Sequence, residues 1–370
     1  MRVLVFGTYD VRSHPRVGIL AAGLRRHGFD VAECNVPLGI DTAGRVQILQ
    51  RPLLIPLLLL RIVRCWISLA TKARTMPRPD AVLVGYLGHF DVLLARLVFG
   101  RTPIVLDHLI FAADTARDRG EIGGVKLSLL RAVDRAALSA ADVIVVDTQE
   151  HRALVPEHRR DRAVVVAVGA ADAWFEAARP AAHANTGRLR VIFFGAFTPL
   201  QGAPVIGRAL AELAGEAIEV TMVGRGQGHL ETVTAAREND RVTWLDWVDP
   251  DELPKLVADH DVCLGVFGTT TKALNVVPNK VFQGAAAGCA LVTSDSAPQR
   301  RLLDAAAVFV PPGDPAALAA ALRRLAADAG ELARMREAAR RRARERFTPD
   351  QIVTPLADRL APPTTPGDPS

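Results

Sequence analysis

Residues 191–202 read Val-Ile-Phe-Phe-Gly-Ala-Phe-Thr-Pro-Leu-Gln-Gly: a short apolar run, a loop bounded by Gly195 and Gly202, then an amphipathic segment. An apolar run that ends in a glycine turn and hands over to a helix is the repeating unit of a parallel sheet covered on both faces. The helix behind such a turn presents free backbone N–H groups and the positive end of its dipole, which suits phosphate. Outward from this stretch the alternation continues. Toward the carboxyl end, apolar runs at 219–223, 242–244, 262–266, 290–292 and 308–310 are separated by helical spacings. Toward the amino end, runs at 3–6, 31–35, 81–84, 104–106, 143–146 and 164–166 alternate with helical stretches such as 16–27 and 126–138. The rhythm breaks at 176–187 (EAARPAAHANTG), a polar segment rich in Ala and Pro that reads as a linker.

The fold class expected is therefore α/β, with two tandem Rossmann-like domains facing a cleft between the carboxyl ends of their strands. Residues 1–178 form the first domain, 188–346 the second; a helix at 347–360 crosses back, and 361–370 is a disordered tail. A chain of 370 residues suits two cores better than one. Segment 315–347 reads as strongly helical, with its arginines at 336–346 on a solvated face.

A hydrophobic fraction of 49% excludes wholesale disorder. No 20-residue period repeats, which argues against a solenoid or propeller. The net charge of +5 is uneven: residues 1–180 carry 24 basic and 18 acidic side chains, the remainder 21 and 22. Only five lysines occur, and two of them, Lys272 and Lys280, fall in one short stretch. Cys34, Cys65, Cys263 and Cys289 have no metal or redox spacing, and the opening residues read as a buried strand rather than a signal peptide. A reduced, cytoplasmic protein is expected.

Three elements of the second half carry candidate chemistry. The loop Gly195–Gly202 is followed on the next strand by a second glycine turn, Gly224-Arg225-Gly226-Gln227-Gly228. Two such loops in register are better evidence for a phosphate site than either alone. The third is 272–288, KALNVVPNKVFQGAAAG, where Pro278 is well placed to start a helix and small residues allow close approach from above.

On these motifs the chain resembles the GT-B glycosyltransferases, close to family 4 of retaining nucleotide-sugar enzymes. The resemblance is strongest over 191–315, where VTWLDWVDPDELPKLVADHDVCLGVF, VPNKVFQGAAAGCALVTSDS and VPPGDPAAL keep the family's grammar. It implies a nucleotide-diphosphate sugar as co-substrate, with no cofactor and no metal. It also implies a donor site at Gly195, Gln201, Gly202, Gly224, Gly226, Val248, Lys272, Asn275, Asn279, Lys280 and Gln283. The family's pyrophosphate grip is an Arg after the first glycine and a Lys before the second; here Ala196 and Gln201 stand there. Two glutamates eight positions apart, one for the sugar and one for the ribose, are replaced by Asn275 and Gln283. Amides still hydrogen-bond hydroxyls but are not charge-assisted acceptors. Lys272 and Lys280 are the candidate replacement cations, unless both are solvent-facing lysines at helix ends. Trp247-Val248 matches the segment whose backbone meets the nucleotide base, unless it is core packing.

In the first half, Gly7-Thr8-Tyr9-Asp10 follows the first strand and His14-Pro15-Arg16 opens the next helix, which sets Tyr9 and Arg16 on the acceptor side. Asp107-His108 ends the strand at 104–106, and the resemblance places a histidine near there, facing donor sugar and acceptor. Asp107 and His108 are thus the catalytic candidates; His89, beside Asp91, is a second group near the cleft. Asp259-His260-Asp261 has the spelling of a metal motif but reads as a helix end. No GxSxG, HExxH or P-loop pattern occurs.

Between Thr42 and Pro79 lie seven basic residues and no acid. Within it, 52–70 (PLLIPLLLLRIVRCWISLA) is interrupted by Pro56, and from Leu57 onward Arg61, Arg64, Ser68 and Lys72 recur at helical spacing, with Trp66, Ile67 and the leucines opposite. Two readings fit: a helix lying on an anionic membrane through Arg61, Arg64, Trp66 and Lys72, or a core helix with snorkelling arginines. Nucleic-acid binding is disfavoured, because aromatics do not interleave the charges. The expected activity is transfer of a sugar to a hydroxyl of a lipid-linked or cell-surface glycan precursor, at the inner face of the plasma membrane. Its rivals are an epimerase or hydrolase on the same fold, and a non-catalytic subunit that binds a partner transferase.

Overall fold

The computed structural model describes residues 1–12, 14–39, 55–85, 88–121, 123–178 and 187–361. The centre of the expected linker (179–186), the tail at 362–370 and the basic residues Arg45 and Arg51 lie outside the described residues.

The first sheet is built from β1 (Arg2–Gly7), β2 (Asp30–Asn35), β3 (Ala81–Val84), β4 (Ile104–Asp107), β5 (Val143–Val146) and β6 (Ala163–Val165), in the order β2-β1-β3-β4-β5-β6. The second contains β7 (Leu189–Phe194), β8 (Ile218–Val223), β9 (Val242–Leu245), β10 (Val262–Leu264), β11 (Ala290–Ser294) and β12 (Val308–Val310), in the order β12-β11-β10-β7-β8-β9. Every pairing is parallel. Central strands such as β3 and β4 are buried along their whole length, because helices cover both faces. Each sheet accordingly has two apolar layers, one per face.

Six helices of the first half matter for the site: α1 (Arg16–Arg26), α2 (Ile55–Thr75), α3 (Asp91–Phe99), α4 (Ala112–Asp118), α5 (Val125–Ala140) and α6 (Gln149–Leu154). In the second half they are α7 (Ala203–Glu212), α8 (Thr271–Asn275), α9 (Asn279–Ala286), α10 (Pro315–Ala327), α11 (Ala329–Arg346) and α12 (Pro349–Leu360). Pro56 does not break α2; it occupies the first turn, where a missing N–H costs nothing.

The last helix does cross back. Ile352, Val353, Leu356 and Ala357 of α12 complete a core layer of the first sheet, against α1. Gly23 permits the close crossing, since a Cβ there would stand 2.2 Å from the Pro349 carbonyl oxygen. Conversely, Val168, Ala170 and Trp174 pack into the second domain's core, where Trp174 stacks on Phe194 at 5.7 Å.

The segment expected to be strongly helical, 315–347, holds two helices, α10 and α11. The chain breaks at Asp328, whose carboxylate caps α11 by accepting from the Glu331 N–H at 2.8 Å. The arginine face is not uniformly solvated either. Arg336 is buried and donates to the Gly288 carbonyl at 3.0 Å and to Asp261 at 3.3 Å. Asp261 also accepts from the Arg190 backbone N–H, while His260 bridges Leu256 and Thr221, so Asp259-His260-Asp261 is a helix end stitched into the core. All four cysteines are buried and unpaired.

Candidate active site

The carboxyl ends of β7 and β8 carry the two glycine loops, which lock into each other. Gly195 N–H donates to the Val223 carbonyl at 3.0 Å and Phe197 N–H to the Arg225 carbonyl at 3.0 Å. Gly224 has φ +119°, and a Cβ there would lie 2.2 Å from the Gly195 oxygen. Gly202 has φ +65° with Gly268 N 2.4 Å from its would-be Cβ, so α7 starts hard against the loop after β10. Neither position admits a side chain. Gly226 lies equally close to Phe197, within the same interlock.

Beneath this loop lies Lys280, near the start of α9. The sequence left it either a solvent-facing lysine or a replacement cation; it is buried, 4% exposed. Its Nζ donates to Gln201 Oε1 at 2.6 Å, stands 3.6 Å over the Phe193 ring, and would be 3.3 Å from a Cβ on Gly195. Burial pushes its ammonium down to about 7, with Cys263 acting the other way. Held over an aromatic face and under a glycine loop, Lys280 has a neutral hydrogen-bond partner in Gln201.

Lys272 is not its companion. Its Nζ reaches across the cleft to Thr115 Oγ1 of α4 at 2.6 Å, beside a hydrogen bond from Thr270 to Asp118. Asn275 uses its carbonyl to accept from Thr148 Oγ1 at 2.9 Å. Gln283 is half-buried one turn beyond Lys280, Asn279 is exposed, and Val248 packs on the second core while Trp247 is exposed.

On the first sheet, Asp107 is not available for chemistry. Both its oxygens lie 2.9 Å from Arg16 Nε, and Arg16 also donates to the Ala167 and Val166 carbonyls. The pair is buried, so Arg16 ties α1 to β4 and the end of β6 rather than meeting an acceptor. Tyr9 is likewise turned inward, donating to Glu33 at 3.1 Å; burial and that carboxylate raise its phenol well above the ordinary range.

His108 is enclosed between His89, whose ring centre is 4.9 Å away, and Phe111, at 4.6 Å. Neither ring nitrogen has a hydrogen-bond partner among the described residues. Burial, with His89 adding to it, pushes His108 down to about 3, so it is a neutral imidazole. His89 is fixed by Asp134 at 3.1 Å, and Asp134 also accepts the Ala112 and Ala113 N–H groups that open α4. Ligand atoms of His89, His108 and Asp134 lie within 4.8 Å of one another, the one such group among the described residues. Asp134 is already engaged by three donors, so the group reads as a hydrogen-bonded clasp of α4 onto α5.

Sequence reasoning missed Asp134, Asp147 and His151. His151 Nδ1 lies 2.5 Å from Asp147, and Thr148 caps α6 by accepting from the His151 N–H. A carboxylate on the apolar stripe of 126–138 was a readable signal for Asp134, and Thr148 ahead of Glu150 was one for the cap.

Of the residues assigned to a membrane, Trp66 faces the protein. Its indole N–H donates to Asp91 at 2.9 Å, and Asp91 also accepts from Thr8. Cys65, Leu69 and Ala73 form the rest of the inward face of α2, whereas Arg61, Arg64 and Lys72 are exposed. Among the described residues no helix is long and apolar enough to cross a membrane.

The two halves meet across the cleft through Arg12, 3.2 Å from Asp249 and 3.1 Å from Asp251, and through Arg301 with Glu150 at 2.6 Å. A family profile described as Glycosyl transferases group 1 matches residues 188–328. No curated protein matches the chain. Among solved structures, sucrose-phosphate synthase from Thermosynechococcus elongatus is similar with a TM-score of 0.69 and 14% identity, over 97% of this chain and 98% of that one. Anabaena HepE in complex with UDP-glucose gives 0.68 and 16%, over 97% and 99%. The E. coli trehalose-6-phosphate structure bound with UDP-2-fluoro glucose gives 0.68 and 14%, over 97% and 99%. These likenesses show the fold, and the profile match adds a family likeness for residues 188–328. Residues 188–328 of this chain thus match the group 1 glycosyl transferases, and the chain as a whole has the two-domain GT-B fold of these neighbours.

Proposed function

We propose that the chain transfers a sugar, with retention, from a nucleotide-diphosphate sugar to a hydroxyl of a lipid-linked or cell-surface glycan precursor. The observation that carries the donor half is Lys280, a buried cation whose Nζ lies 2.6 Å from Gln201 in the glycine loop where the usual clamp lysine is missing. In this reading the diphosphate settles on the loop N–H groups of Gly195–Gly202 and the start of α9, and Lys280 exchanges Gln201 for a phosphate oxygen. Asn275 and Gln283 serve sugar and ribose hydroxyls, and the Val248 backbone meets the base. His108, a neutral imidazole with two unpaired nitrogens, offers one to a sugar hydroxyl.

The bond from the sugar's anomeric carbon to the diphosphate breaks while the acceptor oxygen bonds the same face. The hydroxyl proton passes to the departing diphosphate. The chain's part is positioning and stabilising the charge that develops on the leaving group. UDP-glucose is the first donor to try, since the Anabaena neighbour binds it. The acceptor half is supported by the exposed basic residues of α2, and it implies a site of action at the cytoplasmic face of a membrane.

A thermal-shift screen with UDP, GDP, dTDP and ADP tests the donor half: ligand at one hundred times its Kd adds about 2.7 kcal/mol. No shift with any nucleotide overturns it and favours the non-catalytic subunit.

A further inference from the structure

The helix layer α2–α3–α5 covers one face of the first sheet, with α3 packed between the other two. Its charge is one-sided. The three helices carry eight basic residues and two acids, and both acids point inward: Asp91 holds Thr8 and Trp66, and Asp134 holds His89 and α4. Of the eight, Arg96 pairs with Asp142 and Lys126 with Glu121, carboxylates that flank the helices; among the described residues the other six pair with no carboxylate. The outer surface of the layer also shows large apolar side chains. Leu59, Leu60, Val63 and Ile67 of α2 are 48–61% exposed, although Cys65, Leu69 and Ala73 already give that helix a buried face. Val125 and Leu129 on α5 are 87% and 63% exposed, and Phe90, before α3, 49%.

These residues gather at one end. Helices that follow parallel strands begin at the strands' carboxyl edge, which is the cleft edge. Leu69 of α2 sits level with Cys34, next to last in β2, and Trp66 level with Asp91 at the start of α3. The turns before Trp66 therefore stand clear of the sheet edge, about 1.5 Å per residue. The prong Leu57–Val63, Phe90 and the start of α5 thus form an apolar rim on the acceptor side of the cleft, flanked by Arg61 and Arg64.

We propose that this rim is a membrane footprint: the N-terminal ends of α2, α3 and α5 dock together on an anionic bilayer and hold the cleft mouth at the headgroup layer. The proposal rests on the acceptor half of the reading above and gives it a partner. Apolar side chains exposed beside unopposed basic ones match an interface where acyl chains lie beneath phosphate headgroups. A protein partner of ordinary composition would demand carboxylates opposite six cations; a bilayer supplies the negative charge at every orientation.

Flotation of the full chain on phosphatidylcholine vesicles, with and without phosphatidylglycerol, tests this in the absence of nucleotide. Association is expected with the anionic vesicles and to weaken with salt. Arg61→Glu/Arg64→Glu is expected to lower it about thirtyfold or more. Val125→Glu/Leu129→Glu, on a different helix, is expected to abolish most of what remains without changing UDP-glucose binding. Wild-type chain that stays with the buffer, or that floats equally after both pairs of changes, overturns the proposal. So does a wild-type dimer that Val125→Glu/Leu129→Glu converts to a monomer without vesicle association, since the face is then a contact between copies. Nucleotide binding reads separately: a chain that floats but shows no nucleotide shift defeats the donor reading alone.

Discussion

Replacing Lys280 by methionine keeps the volume of the side chain under the glycine loop and removes its charge. In the nucleotide-free protein Lys280 titrates at about 7, against an ordinary value of 10.5, because burial disfavours the ammonium. A diphosphate would return it toward the ordinary value, so above pH 7 each binding event takes up a proton. Affinity for a UDP-sugar should then fall about tenfold per pH unit above 7, and about a hundredfold by pH 9. The stability of the empty protein moves the other way. The folded pKa lies below the unfolded one, so the unfolded chain holds the proton more tightly, and stability rises as pH climbs from 7 toward 10.5.

Wild type should therefore show opposite slopes between pH 7 and 9: a climbing Tm without ligand and a weakening Kd with it. Lys280→Met should flatten both. At pH 6.5, where the wild-type lysine is charged, the variant should bind roughly ten- to hundredfold more weakly, the worth of a charge-assisted hydrogen bond of about 1.5–3 kcal/mol. Calorimetric titration in two buffers of different ionisation heat reads the proton uptake directly, at close to one proton near pH 8. A Kd with the same pH dependence in wild type and variant would refute the reasoning, because another group would then be taking the proton.

Two further substitutions probe the frame that holds the site. Gly224→Ala should cost about 1–3 kcal/mol in left-handed strain and about 1–3 kcal/mol more in overpacking against Gly195, and should remove nucleotide binding; chemical denaturation and the thermal-shift response check both. Arg16→Ala should destabilise the chain by about 3–5 kcal/mol, since it strands the buried carboxylate of Asp107; Arg16→Lys should recover little, because a single ammonium cannot also reach the Val166 and Ala167 carbonyls.

The central strands were legible because apolar residues run unbroken wherever both sheet faces are covered, as in Ala81–Val84 and Val143–Val146. Spacing along the chain could not supply depth. Arg336 and Arg346 belong to one helix and one basic run, yet only the first turns inward, because Asp261 and the Gly288 carbonyl await it there. Trp66 and Ile67 are neighbours that the spacing places together on the apolar side of the helix. A step of 100° around the helix sends one indole to Asp91 and leaves the other side chain in solvent.

Lys272 and Lys280 show the same limit at the site itself. They lie eight positions apart, and both are the second residue of a short helix, α8 or α9, with the extended run 276–278 between. That break re-aims the chain, so one ammonium crosses to Thr115 and the other drops beneath Gly195. A clamp of two adjacent lysines thus becomes a division of labour. In the proposed function Lys280 meets the diphosphate. Lys272 on Thr115, Thr270 on Asp118 and Arg12 on Asp249 and Asp251 tie the two domains together. Within 270–280 the contact with the first domain and the buried charge are therefore carried by different residues, and under the proposed function substitutions that abolish one need not disturb the other.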